Sequence, residues 1–308
     1  MRNIIYLVNL LLVVVTHSLI AQEAKMEVKA ERNSDNSVTL NFTKNDPGTM
    51  TVQTNFKSLE NSSLNGASFQ AKGYAGQLMT LRPTNKDQRI SYSYSYRYIR
   101  GKLKPKVAFE FIYGFPHHKG TEARVSEASY LKAKYFGNTE PEDWKSYYIH
   151  TKDEAAVLSI RKGLVVEVID GNEDFTEGIT FKSNNNKIII EHEDGTLATY
   201  GALKNGSIKV KVGDVVFPKV ELALNSNRGN NQYSFALSIM YLKAADLFMN
   251  EGKNISNDKS LYGFVIPIFS VSLGQQVLDN NKIYQAAWSE DLIVKEMNKK
   301  ELKQYKND

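Results

Sequence analysis

"IIIEHEDGTLATYGALKNGSIKVKVGD", residues 188–214, reads as a β-hairpin with a further strand behind it. Ile188, Ile189 and Ile190 lead in, Glu193-Asp194-Gly195 supplies the turn, and residues 197–203 return. "SIKVKVGDVVF", residues 207–217, then alternates apolar and polar and turns at Gly213-Asp214. Moving outward, "AAVLSIRKGLVVEVID" (155–170) gives two strands around Lys162-Gly163, and "VELALNSNRGNNQYSFALSIMYL" (220–242) gives strand, polar loop, strand. "YGFVIPIFSVSL" (262–273) is strand-like. The fold class implied is mainly β, with a β domain over 151–285 and a helical tail over 286–308. In that tail Ser289 is an N-cap, acids come early and lysines late.

The first half is also β-patterned. "SVTLNFTKNDPGTMTVQTNF" (37–56) places two alternating runs around Asn45-Asp46-Pro47-Gly48, a strong turn signal. "ISYSYSYRYIRG" (90–101) puts Tyr92, Tyr94, Tyr96 and Tyr98 on one face and Ser91, Ser93 and Ser95 on the other. That tyrosine face either stacks on sugars or packs beneath a second sheet. "KVAFEFIYGF" (106–115) is another strand. Residues 22–113 are thus expected as a β-sandwich-like module, joined by an irregular connecting segment over 114–150. Within that segment His117-His118 invites a metal, but neighbours on extended backbone point to opposite sides, so an exposed loop is expected.

The chain has 308 residues, 42% hydrophobic and 24% charged, within the range of folded soluble proteins. The formal charge of +5 is a weak basic bias, and no basic cluster interleaved with aromatics argues for nucleic acid. There are no cysteines, so disulfides, thiolate zinc sites and catalytic thiols are excluded. Residues 1–21 read as a signal peptide, with Arg2, an apolar run over 4–15 and a cleavage point at Ala21-Gln22. No other stretch is long and apolar enough to span a bilayer, so export to the periplasm or the extracellular space is expected.

In the order of its turn signals, residues 144–241 resemble the M23 family of zinc metallopeptidases, the lysostaphin/LytM type, which cut peptide cross-bridges of bacterial peptidoglycan. "EAAVLSIRKGLV" keeps Val157, Gly163 and Val165 of the family's first hairpin. "IEHEDGTLATYGAL" keeps His192, Asp194, Gly195, Tyr200 and Leu203, and "VKVGDVVFPKVELA" keeps Val210, Gly213, Asp214 and Val216. "NSNRGNNQYSFALSIMY" keeps Gly229 and the length of the closing turn. The resemblance implies an antiparallel β scaffold over about a third of the chain.

The same resemblance implies a degenerate site. A catalytic zinc takes three protein ligands and an open position. In gapless register the family's first ligand His falls on Trp144, its Asp on Tyr148 and the second His of H-x-H on Leu237. The two further family histidines fall on Ala202 and Phe235. His150 and Asp153 lie nearby but three apart, an odd offset that points strand side chains to opposite faces. No catalytic residue or metal ligand is therefore assigned, zinc is expected to be absent, and His192, Tyr200 and Tyr233 are placed on the groove rim. "DGNEDFTEG" echoes the start of a calcium loop through Asp170, Asn172 and Asp174, but Phe175 and Lys182 stand where Gly and Glu are required, so a solvated hairpin loop is expected.

Other catalytic motifs, including G-x-S-x-G, the P-loop, the dinucleotide fingerprint and H-E-x-x-H, do not occur. The implied function is that of a secreted, non-catalytic pseudopeptidase whose groove binds a cell-envelope partner, either a peptidoglycan peptide or another protein, and scaffolds or regulates wall enzymes. Two alternatives stand beside it: an active zinc metalloendopeptidase with rearranged ligands, and a structural or adhesive secreted β protein.

Overall fold

A computed structural model describes residues 26–64, 68–128, 143–174, 185–229, 232–243 and 261–307. The expected leader at 1–21 lies outside the described residues, as do Phe175 and Lys182.

The first unit is a sandwich of two three-stranded sheets. Its strands are β1 (Met26–Arg32), β2 (Val38–Lys44), β3 (Met50–Glu60), β4 (Ser68–Ala71), β5 (Ala75–Leu81) and β6 (Ser91–Arg100). The sheet orders are β1-β2-β5 and β4-β3-β6. Alternating residues Val28, Leu40 and Phe42 of one sheet meet Met50 and Val52 of the other, and Tyr92, Tyr94, Tyr96 and Tyr98 pack against this core. The Tyr94 hydroxyl donates to the Val28 carbonyl at 3.0 Å, which ties the two sheets. The tyrosine face is an inner face.

The sandwich ends at Arg100, earlier than the boundary at 113 read from sequence. Beyond it, β7 (Ile112–Gly114) pairs in parallel with a strand more than 150 residues on, β19 (Ile268–Val271). The strand expected over 106–115 shrinks to those three residues. The segment expected to be irregular, 114–150, supplies β8 (Glu122–Glu127) and most of β9 (Tyr147–Thr151). Both belong to the large sheet, because Ala123, Val125, Tyr147 and Ile149 alternate into the main core.

The remaining strands are β10 (Ala156–Leu158), β11 (Gly163–Ile169), β12 (Asn186–Glu191), β13 (Leu197–Leu203), β14 (Val215–Val216), β15 (Glu221–Leu224), β16 (Ser226–Asn227), β17 (Tyr233–Leu242), β18 (Tyr262–Phe264), β20 (Gly274–Val277) and β21 (Ile283–Gln285). The main sheet runs β14-β11-β12-β13-β17-β9-β8-β21 and is antiparallel throughout, with β16 and β18 also on β17. The run at 262–273 divides at Pro267, which has no N–H to donate to a ladder. One face of the sheet is covered by residues 111–117 and β19, which bring Phe111, Tyr113, Phe115 and Phe269 against it. The Trp288 ring seals this layer. A Cβ on Gly114 would lie 2.1 Å from it, and its Nε1 donates to the His117 carbonyl at 2.8 Å.

The single expected tail helix is two: α1 (Glu290–Val294) and α2 (Lys299–Tyr305). Ser289 caps the first, as the sequence implies. Asn298 divides them, because its side chain accepts from Lys300 N and Glu301 N and its own N–H donates to the Glu301 carboxylate, a reciprocal capping box.

The two units are joined by charge. Arg100 makes a two-pronged contact with Asp46 at 3.0 and 3.1 Å, and its guanidinium also lies 3.6 Å from Glu167 of β11. Lys44 is buried against Asp46 and the Gly48 carbonyl, and Lys187 closes the chain of charges on Glu167 at 2.9 Å. Thr49 donates through N–H and hydroxyl to Glu191. Gly48 fits because a Cβ there would sit 2.5 Å from Val166. The Asn45-Asp46-Pro47-Gly48 turn is thus the docking element between sandwich and sheet.

A second polar knot lies inside the large unit. The Arg161 side chain, 4% exposed, donates to Asp194 at 2.8 Å and to both oxygens of Glu296 at 2.8–3.1 Å. Its guanidinium carbon stands 3.7 Å from the Phe111 ring centroid. Burial acts to lower the arginine pKa, and the two carboxylates outweigh it and raise it. Burial likewise pulls Asp194 up, while Arg161 and Thr196 hold it down at about 2. Neutralising either carboxylate leaves Arg161 paired with the other and replaces charge-assisted hydrogen bonds by weaker neutral ones. Glu296→Gln and Asp194→Asn are each expected to lower unfolding free energy by about 1.5–3 kcal/mol in urea titrations, whereas Lys282→Ala at an exposed pair is expected to leave the urea midpoint unchanged.

Candidate functional site

Register along β17 decides what faces outward. Phe235, Leu237 and Ile239 enter the main core. Phe235 lies opposite Ile149 and Leu237 opposite Tyr147 on β9. On the other side Tyr200 of β13 lies opposite Leu237, and its ring stacks 6.5 Å from that of Phe235. His117 stands edge-on to Phe235 at 5.7 Å, so this face is filled. By alternation Ser234, Ala236 and Ser238 take the other, open face, beside His150 and Tyr148 on β9 and Gly201 and Thr199 on β13, although Ser234 itself is buried there, bonded to Arg228.

The five positions expected to converge therefore do not. Phe235 and Leu237 share the core face, and Tyr148 is on the opposite one. Trp144 donates its Nε1–H to the Ala128 carbonyl at 2.9 Å and packs 4.7 Å from the Phe264 ring. Ala202 sits in left-handed backbone (φ 56°) where the β12–β13 register shifts, with its side chain buried. In the register of β17 neither Phe235 nor Leu237 can share a site with Tyr148. A single-residue offset exchanges the faces of a strand, and the apolar side chains decide which face is inside. The residues that flank Tyr148 on the open face are Ser234 and Ala236.

The rim assignments also change. His192 and Tyr200 are interior, not rim. His192 Nδ1 meets the Thr196 hydroxyl at 2.8 Å within the 192–196 turn, and the Tyr200 hydroxyl accepts from Ile160 N at 3.0 Å. Tyr233 is half-buried, opposite Thr151 and Asn227. His117 is buried with Nδ1 2.7 Å from the Ala156 carbonyl, while His118 is outside against Glu221 at 2.9 Å. The two point apart as expected, but the first is a core residue. The calcium-like carboxylates brace a turn: Asp170 accepts from Gly206 N and Asp174 from Asn205 N.

The open face carries a groove of about 550 Å³. Thr199, Gly201, Ala236 and Ser238 form its small-residue floor, and Ile169, Asn172, Asn185 and Lys187 stand on one side. Further along the face, Arg124 is directly opposite His150, and the Ser126 hydroxyl is 2.7 Å from His150 Nε2. The Arg228 guanidinium lies 5.2 Å from the Tyr148 ring centroid, and its Nε–H donates to the Ser234 hydroxyl at 3.1 Å. A second hollow of about 410 Å³ opens beside Arg124, His150, Lys152 and Gln232. Ser126, Arg124 and Arg228 were not singled out from sequence; the polar-apolar alternation of "EARVSE" is the signal that places the first two on this face.

Burial, with Arg124 and Arg228 behind it, pushes His150 down to about 4, so its imidazole is neutral at pH 7. It contacts a hydroxyl, yet among the described residues no carboxylate bonds it, which leaves a Ser–His pair without the orienting acid of a nucleophilic triad. Zinc does not fit this face either. Tyr148, Ser234 and Ala236 offer no imidazole or carboxylate, and His150 is engaged and flanked by two guanidinium groups. Among the described residues no group of three or more His, Asp or Glu side chains is placed to hold a metal. What the face offers is a trough shallow enough for a backbone to lie close, edged by amide, hydroxyl, ammonium and guanidinium donors.

No family model matches the chain, and no curated protein matches it. Among solved structures, a chain described as a novel M23 metalloprotease, pseudoalterin, from the deep sea is similar with a TM-score of 0.30 and 17% identity, over 58% of this chain and 97% of that one. A likeness of that size carries no argument about activity.

Two measurements test the assignments. Because Leu237 is core and Ala236 is on the open face, Leu237→His is expected to cost about 3–5 kcal/mol in urea unfolding and Ala236→His less than ~1 kcal/mol. The second concerns pH. Burial holds His117 at about 4 and His192 at about 3 in the fold, against 6.5 for a free imidazole. Below pH 6.5 the unfolded chain therefore binds protons that the folded chain refuses, and stability falls as pH falls toward 4. Each of the two is expected to contribute on the order of 1 kcal/mol per pH unit across that window, read as a falling urea midpoint. His117→Gln is expected to flatten the slope.

Proposed function

We propose that this protein is an exported, non-catalytic M23-like pseudopeptidase whose open sheet face binds an extended peptide of the cell envelope. Three things support the reading: the leader-like N-terminus, the four family-like turns in order, and the chemistry of the face itself. The observation that carries it is the groove floored by Thr199, Gly201, Ala236 and Ser238, with the donors Asn172, Asn185 and Lys187 along one side. A floor of small side chains lets a peptide backbone approach the sheet, and the donors along one side suit its carbonyls and carboxylates.

The experiment is retention of the purified protein on isolated peptidoglycan, and fluorescence titration with its stem peptides. Binding is expected, with no peptide release and no stoichiometric zinc by elemental analysis. Ala236→Trp fills the trough from its floor and is expected to weaken binding at least tenfold with the thermal midpoint little changed. Stoichiometric zinc with chelator-sensitive hydrolysis would establish the active metalloendopeptidase instead. No retention above a scrambled-peptide control would leave the structural or adhesive role.

A further inference from the structure

A hollow of about 760 Å³ lies away from the sheet face, between the β14–β15 connection and the two C-terminal helices. Its walls are Phe217, Pro218, Val220, Ile293, Met297 and Tyr305. Val215 at its edge is 53% exposed and Val220 is 38% exposed, so apolar surface stands in water there that an occupant would remove.

The rim is cationic. Lys219 and Lys300 line the hollow, and neither forms an ion pair among the described residues. The acids near them are already committed: Glu301 to Lys162 at 2.7 Å and Glu296 to Arg161. Lys219 is held in left-handed backbone (φ 74°), where its N–H donates to the Ser159 carbonyl at 2.9 Å. A non-glycine residue in that region carries a cost, and here it places a lysine at the mouth of an apolar hollow.

The walls also limit what can lie inside. A peptide brings an N–H and a C=O at every residue, and each needs a partner once buried. Apart from the exposed Gln304 amide and the two lysines the lining gives few: Pro218 has no N–H, Asn298 Oδ1 is taken by the α2 cap, and Glu301 is paired. An occupant without polar groups along its length, and with negative charge at one end, meets this chemistry.

We propose that this hollow binds a single long acyl chain bearing an anionic head group, with the chain against Phe217, Val220 and Met297 and the head at Lys219 and Lys300. The site is separate from the sheet-face groove and does not depend on what that groove binds.

The test uses the full chain and palmitate, followed by native mass spectrometry and by displacement of a fluorescent fatty acid. One palmitate per chain is expected. Hexadecanol, the same chain without charge, is expected to bind at least tenfold more weakly. The double variant Lys219→Glu/Lys300→Glu is expected to lose at least tenfold in palmitate affinity. Both side chains are exposed, and circular dichroism of the variant checks that it folds. Val220→Asp, placing a like charge beside the chain, is expected to abolish uptake. Vesicles of phosphatidylglycerol separate the sources: palmitate binding without vesicle binding assigns a free fatty acid, and binding of both assigns the acyl chain of a membrane lipid. No palmitate adduct at its solubility limit, or equal affinity in the double variant, would overturn the proposal, as would tighter capture of an acidic peptide than of palmitate.

Discussion

The alternation of side chains along β17 is the constraint on which the large unit depends. Strands pair with it on both sides, β13 on one and β9 on the other, so its register is fixed twice over. Phe235, Leu237 and Ile239 on one face anchor the main core, and turning them outward would bring Ser234, Ala236 and Ser238 in. Because the large apolar side chains must be inside, the small ones are left on the other face, and the groove follows from the packing of the core. The same choice separates the molecule into a filled side, closed by residues 111–117 and β19, and an open side.

The sandwich bears on that open side through charges. Asp46, Arg100, Glu167 and Lys187 form a continuous series from the docking turn to the edge of the groove. Each carboxylate in the series has two cationic neighbours, which is how buried ions are tolerated. Lys187 is therefore oriented by Glu167, and Glu167 in turn faces the first unit. The position of one groove side chain is set partly by a domain that does not line the groove.

Much of this was legible in the sequence where local chemistry speaks for itself. Gly195 and Gly213 adopt the positive φ that their turns demand, Ser289 caps a helix, and the period-2 run from Tyr92 to Tyr98 is a strand. What was not legible depends on distant partners. β7 is three residues long and is recognisable only through β19. β8 and β9 lie in a polar, turn-rich stretch and become strands through the sheet they join. On β17 motif spacing placed Phe235 and Leu237 at the site, whereas their hydrophobicity places them beneath it. Arg161, followed by Lys162 and Gly163 at a turn signal, reads as a solvated side chain, and nothing local announces the two carboxylates that bring it inside.

Arg161 and Glu296 are 135 residues apart, and that distance matters for the path to the fold as well as for its depth. Local hairpins such as β12–β13 can close early, since little chain entropy is lost in bringing their strands together. The guanidinium over Phe111 gains its second carboxylate only when Glu296, just after α1, is in place. Until then the interior beneath residues 111–117 holds an ion with only Asp194 for company, and water is not readily excluded from it. Closure of this part of the core thus requires a contact between groups 135 residues apart, and the segment that carries Glu296 acts as its latch.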